Sequence, residues 1–179
     1  MANPAFETLV NLSAQSRRSA LGLPAQTDVA PRWSGIGFSC MGYRFVVPMG
    51  QVSELMEVPS TTRLPGVHAW VLGLSNVRGR LLPLFDLARF IGGHINNQKK
   101  AHRVLVWESE NMYSGLVVDR AYGMQHFIVD TFDEVGGDLP PNLKAYVNGT
   151  YKDASGDAWS VFDMSVLAGD PNFINASAT

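Results

Sequence analysis

Gly73-Leu74-Ser75-Asn76-Val77-Arg78-Gly79-Arg80-Leu81-Leu82-Pro83-Leu84-Phe85-Asp86-Leu87 is the stretch on which the fold of this chain turns. Trp70-Val71-Leu72 leads into it as an apolar approach, and a polar turn follows. Gly73 and Gly79 bracket that turn, and each tolerates a positive φ that would strain other residues. Arg80 to Phe85 then runs mostly apolar, as a strand buried on both faces does. Pro83 has no N–H to donate, which predicts that its strand lies at a sheet edge or is broken by a bulge there. Asp86 stands where an N-cap belongs, ahead of a short helix over Leu87-Ala88-Arg89-Phe90-Ile91 that Gly92-Gly93 stops.

Working outward from this stretch, the same grammar recurs. Phe38 to Pro48 reads as a hairpin turning at Met41-Gly42. Val52 to Val58 alternates, with Val52, Glu54, Met56 and Val58 on one face and Ser53, Leu55 and Glu57 on the other. Pro59 to Gly66 is loop, and His94 to Lys100 is a polar connector. Further strands are expected over Arg103–Trp107, Tyr113–Asp119, Tyr122–Val129, Lys144–Tyr151 and Ala158–Phe162. Before all of these, Asn3-Pro4 opens an N-terminal helix carrying Phe6, Leu9, Val10 and Leu21 on one face. Gly22 and Pro24 end that helix, and Leu23 to Arg32 is a linker.

The order of events repeats. Trp70-Val71-Leu72-Gly73 matches Tyr146-Val147-Asn148-Gly149, and Leu84-Phe85-Asp86-Leu87 matches Val161-Phe162-Asp163-Met164. Tyr43 to Pro48 roughly matches Tyr113 to Val118. The pattern alone predicts a repeated all-β unit of about five short strands.

Length and composition bound the function. The 179 residues fit one domain or two small ones. A formal net charge of −2 favours neither nucleic acid nor an anionic membrane. Cys40 is the single cysteine, so no internal disulfide forms and a cysteine zinc site is excluded. No apolar run is long enough to span a bilayer, and the N-terminus does not read as a secretory signal, so a soluble cytoplasmic protein is expected. The duplicated Asp86 and Asp163 invite an enzyme reading as a carboxylate dyad, but both precede short helices, where capping is the ordinary role of aspartate. His68, His94, His102 and His126 are scattered, without metal-ligand spacing. A nucleic-acid reading would gather Arg78, Arg80, Arg89, Lys99, Lys100, His102 and Arg103 into one patch, yet no basic run with interleaved aromatics is present. No cofactor or metal site is expected.

Asn76-Val77-Arg78-Gly79, followed by Leu82-Pro83 and Phe85-Asp86-Leu87, closely resembles the signature of CheW-like coupling proteins, and the resemblance runs from about Phe38 to Leu167. It implies two similar five-stranded SH3-like barrels sharing a core, interleaved over residues 33–172 with a boundary near 94–102. Short helices follow each barrel's last core strand, residues 1–32 form an N-terminal helix and linker, and 173–179 form a tail. It further implies a non-catalytic adaptor between the cytoplasmic tip of a methyl-accepting chemoreceptor and the regulatory domain of a CheA-type histidine kinase. Such a protein is cytoplasmic and recruited to membrane-associated receptor arrays. By the match to the family motif, Asn76, Arg78 and Gly79 serve receptor coupling. Val52-Ser53-Glu54-Leu55 matches the family's Val-x-Glu-Ile pattern, with Leu55 for Ile, and implies a kinase-facing surface of Val52, Glu54 and Leu55. The long N-terminal segment and Trp33 to Phe38 resemble the branch serving type IV pili and twitching motility.

Overall fold

Met41 and Gly42 both take positive φ, 54° and 82°, the geometry of a two-residue type I′ turn whose twist matches that of the flanking strands. That turn joins β1 (Arg32–Cys40) to β2 (Tyr43–Pro48). After β3 (Glu54–Glu57), β4 (Val71–Val77) and β5 (Arg80–Asp86) form a second hairpin, and α1 (Leu87–Phe90) follows. The second half runs β6 (Arg103–Ser109), β7 (Met112–Val118), β8 (Arg120–Ile128), α2 (Pro141–Lys144), β9 (Val147–Lys152), β10 (Ala158–Phe162), α3 (Met164–Gly169) and α4 (Pro171–Ile174). The structure, a computed structural model, describes residues 30–109, 112–135 and 137–177. The chain divides into two units, Met1–Ala30 and Pro31–Thr179, and the expected N-terminal helix lies outside the described residues.

The strands form two five-stranded sheets, in the orders β8-β1-β2-β10-β9 and β3-β6-β7-β5-β4. Each sheet draws strands from both sides of the 94–102 connector. The expected duplication is present in the hydrogen bonds. β2 runs parallel to β10 as β7 runs parallel to β5. Asp86 N donates to Trp70 O at 2.8 Å, and Asp163 N donates to Tyr146 O at 2.9 Å. Gly73 (φ 133°) and Gly149 (φ 142°) also correspond, and each is required by close approach. A Cβ on Gly73 would lie 2.1 Å from Thr62 O, and one on Gly149 2.4 Å from the Phe132 ring.

Alternation along the strands divides the interior into three parts. Val104, Val106, Val117, Leu82 and Leu84 pack within the second sheet. Val46, Val161, Trp159 and Phe127 pack within the first. Their neighbours Phe45, Val47, Leu105, Leu116, Val118 and Phe162 face the other way, into a larger cluster with Leu87, Ala88, Met164 and Leu167 of the helices. β5 buries Leu82, Leu84 and Asp86 on one face, but Pro83 and Phe85 on the other are half-buried and Leu81 is 63% exposed, so the expected burial on both faces is not met.

Two further expectations are corrected. β5 is interior, between β7 and β4, and the irregularity in its pairing falls between Val71 and Gly73 of β4 rather than at Pro83. Leu74, opposite Pro83, directs both its N–H and its C=O to Thr62, so Pro83 occupies a pair that exchanges no bonds with β4. The ladder to β7 begins only at Leu84, so the missing donor costs neither ladder a bond. Residues 173–177, read from sequence as part of a tail, are tied to the fold at Phe173, Ala176 and Ser177. Phe173 is buried among Trp70, Phe85 and Phe90, and Ser177 pairs with Val67.

Candidate functional site

The tip of the β4–β5 hairpin is built by Asn76 and Gly79 and displays Arg78. Val77 pairs with Arg80, leaving Arg78-Gly79 as a type I′ turn with φ of 52° and 82°. Asn76 Oδ1 accepts the Gly79 N–H at 2.9 Å and pins the turn. The Arg78 side chain is 79% exposed, and its Nη2 donates to Glu54 Oε1 at 2.7 Å. A non-glycine residue in the left-handed region costs roughly 1–2 kcal/mol. An exposed ion pair returns about 0.2–1 kcal/mol. Stability alone therefore does not account for an arginine at this position, and a strained residue without structural return points to binding. Met41 is the other non-glycine residue at positive φ among those described, and it differs. Its side chain packs on the main core, and its N–H donates to Asp119 Oδ2 at 2.7 Å.

Glu54 and Arg78 meet because the sheet rolls up. β3 and β4 are its opposite edges, yet Glu54 of β3 pairs with Arg78 of the β4–β5 turn, and the loop after β3 is tied to β4 by a 2.9 Å bond between the hydroxyls of Thr61 and Ser75 and by the backbone bridge of Thr62 with Leu74. Beside this seam Arg80 Nη2 lies 2.8 Å from Glu108 Oε1, and the Arg80 guanidinium sits 3.8 Å from the Tyr113 ring centroid. A cavity of about 190 Å³ opens among Glu54, Arg78, Arg80, Glu108 and Tyr113. Each carboxylate here already faces an arginine. Alternating fixed charges on an exposed rim suit recognition of a protein surface, where charge sets register and rejects wrong partners.

A family model described as "CheW-like domain" matches residues 34–171. The chain belongs to the CheW-like family. It is 44% identical over 172 residues to Protein PilI of Pseudomonas aeruginosa, covering 96% of each chain. It is 31% identical over 85 residues to the chemotaxis protein CheW of Helicobacter pylori, covering 48% of this chain and 52% of that one. The crystal structure of scaffolding protein TtCheW from Thermoanaerobacter tengcongensis is similar with a TM-score of 0.67 at 19% identity, covering 79% of this chain and 96% of that chain. At that identity the likeness bears on the fold alone.

In this CheW-like chain the face of the second expected segment that carries Val52, Glu54 and Met56 turns inward. Val52 is half-buried against the main core and Met56 against the core of the second sheet. Glu54 shares that inward face, its side chain 31% exposed at the seam. The outward face carries Leu55, 40% exposed, with Glu57, and Val58 follows at the end of the strand. Period-2 alternation sorts residues into two faces but does not say which face the rest of the chain covers. The cation for Glu54 is Arg78 rather than Arg44 or Arg63, its neighbours in sequence. Arg44 bonds Asp157 instead.

The duplicated aspartates each cap a helix. Asp86 Oδ1 accepts the Arg89 N–H at 3.0 Å, and Asp163 Oδ1 accepts the Ser165 N–H at 2.8 Å. Burial pushes the Asp163 carboxyl up, but hydrogen bonds from Asn148, the Ser165 and Val166 backbone and Gln51 outweigh it and hold the group below the ordinary carboxylate value. Both carboxylates are occupied at their own helix starts, which accounts for them without a dyad. His68 stacks on Trp70, His102 bonds Asn96 and His126 bonds Ser34. Among the described residues no group of three or more His, Cys, Asp or Glu is placed to hold a metal. Arg78, Arg80, Arg89 and Arg103 each lie within 4.0 Å of a carboxylate, so much of the basic set proposed for nucleic acid is already paired. Glu108 and Tyr113 did not emerge from the sequence as site residues. They are cross-strand neighbours in the β6–β7 hairpin, and it is the non-local pairing of β5 with β7 that sets Arg80 beside that hairpin.

Proposed function

We propose that this chain is a non-catalytic adaptor coupling chemoreceptors to a CheA-type histidine kinase in the chemosensory branch controlling type IV pilus-driven (twitching) motility. The observation that carries the reading is the match to PilI over 96% of both chains, together with the family match over 34–171. In this reading residues 33–172, with the adjoining 173–177, form the coupling unit, and each five-stranded sheet is an SH3-like barrel. Residues 1–32 are an N-terminal helix and linker. Arg78, held out by Asn76 and Gly79, meets the cytoplasmic tip of the receptor. The exposed Leu55 carries the kinase face, with Glu54 setting register through Arg78 and Val52 supporting the strand from behind. The protein acts in the cytoplasm at membrane-associated arrays, without cofactor, nucleic acid or direct membrane insertion. No helix among the described residues is long and apolar enough to cross a membrane.

Calorimetry with the kinase regulatory domain and with a receptor-tip fragment tests it. The full chain is expected to bind both. Leu55→Asp should weaken the kinase by at least about tenfold, or about 1.4 kcal/mol, with the receptor unaffected. A chain that binds neither partner, or a Leu55→Asp variant that binds the kinase as before, would refute the assignment concerned.

A further inference from the structure

At the opposite end of β4 from Arg78, six strand residues or roughly 20 Å away, the loop between β3 and β4 and the helix α1 enclose a second cavity. Its volume is about 280 Å³, and Arg63, His68 and Arg89 line it together with Leu64 and Val71. Two of these three groups are held in place from behind. Arg89 is anchored by Asp86 Oδ2, 3.4 Å from its Nε, and by Ala69 O, which accepts from Nη1 at 3.2 Å. The His68 ring stacks on Trp70 at 13°, and its backbone N–H donates to Ala176 O at 3.1 Å. Arg63 follows Thr62, whose backbone is bridged to Leu74 in both directions. Among the described residues no carboxylate lies within 4.0 Å of the Arg63 guanidinium.

The charges do not balance. Two guanidiniums stand against one carboxylate, Asp86, which is buried and already caps α1. The larger cleft beside the Met41-Gly42 turn offers no such surplus. Arg44 there bonds Asp157, and Asp119 accepts the N–H groups of Met41 and Asn96. Arg63, which lines the same cavity as Arg89 and has no carboxylate partner among the described residues, offers a planar guanidinium of the kind that takes a carboxylate bidentately. Apolar Leu64 and Val71 beside them suit the methylene stem of a glutamate or aspartate.

We propose that the pocket of Arg63, His68 and Arg89 receives an acidic side chain of a partner protein, as a contact separate from the Arg78 turn. This rests on the adaptor reading, since it requires a protein partner. The test titrates the full chain and its Arg63→Glu and Arg63→Lys variants with the receptor-tip fragment and with the kinase regulatory domain, at about 50 mM and about 500 mM salt. Arg63→Glu should weaken one of the two by at least about tenfold at low salt. The loss should shrink at high salt, and Arg63→Lys should restore part of the affinity. Equal affinities for the full chain and Arg63→Glu at both salt concentrations would overturn the pocket alone and leave the adaptor reading standing. A full chain that binds neither partner would overturn both. Inorganic phosphate and phosphatidylglycerol vesicles serve as the other probes. Binding of either that is lost in Arg63→Glu, with protein binding unchanged, would make the ligand a phosphate group and refute the carboxylate assignment.

Discussion

Replacing Arg78 by glycine and, separately, by alanine separates a structural tie from a displayed binding group. At φ 52° Arg78 carries a left-handed cost of roughly 1–2 kcal/mol, which glycine removes and alanine keeps. Glycine gives back about 0.4–1 kcal/mol through the freedom it adds to the unfolded chain. Both variants lose the exposed pair with Glu54, about 0.2–1 kcal/mol. Arg78→Gly should therefore fall within about 1 kcal/mol of the parent, or roughly 2–4 °C in melting temperature for a chain of this size. Arg78→Ala should be the less stable of the two, or at best equal to it. Both variants should bind the receptor tip about 10- to 100-fold more weakly, the loss expected for a hydrogen bond to a charged group, about 1.5–3 kcal/mol. Thermal melts and calorimetry on the same preparations read the two effects. A glycine variant melting well below the alanine variant would refute the strain argument. Wild-type binding by both would refute the assignment of Arg78 to a partner.

Three further outcomes follow from the packing. Gly73→Ala should cost at least about 3 kcal/mol in urea unfolding. The new methyl would meet Thr62 O at 2.1 Å, and that backbone is already bonded to Leu74. Phe173→Ala should cost about 3–5 kcal/mol, because the ring fills the space among Trp70, Phe85 and Phe90. A loss under about 1 kcal/mol would mean that residues 173–177 are a tail after all. Acid should destabilise the fold through Asp170 and Asp163. The Tyr146 hydroxyl, foremost, holds Asp170 below the ordinary value of 3.8, and Asp163 is also depressed. A carboxyl with a lower value folded than unfolded takes up a proton more readily when unfolded. Its stabilisation is thus complete above the unfolded value and is lost as pH falls through the folded one. Melts from pH 6 downward should stay level until about pH 4–5 and fall below it, and Tyr146→Phe should flatten the fall.

Much of this protein was readable along the chain because the relevant physics is short-ranged. The turn at Met41-Gly42 follows from glycine at the second position, and the caps at Asp86 and Asp163 from a carboxylate one residue before a helix, whereas the turn read between Gly73 and Gly79 narrows to Arg78-Gly79 because β4 runs on to Val77. The recurrence of Trp70–Leu87 at Tyr146–Met164 reported a duplicated unit, whereas the apolar run of β5 overstated burial, since Leu81 is exposed. What the tertiary structure decided lies between residues far apart in sequence. Alternation in Val52–Val58 sorted two faces, but only packing of Val52 and Met56 on their cores turned Leu55 outward. Pro83 is tolerated in an interior strand because Leu74 spends its bonds on Thr62. Glu54 finds its cation 24 residues away, across a seam that exists only when the edges of a rolled sheet meet. Local preference selects the strand, the turn and the cap. The closure that assembles a charged site from β3, β5 and β6 is set by burial summed over the whole sheet, and no window of sequence contains that sum.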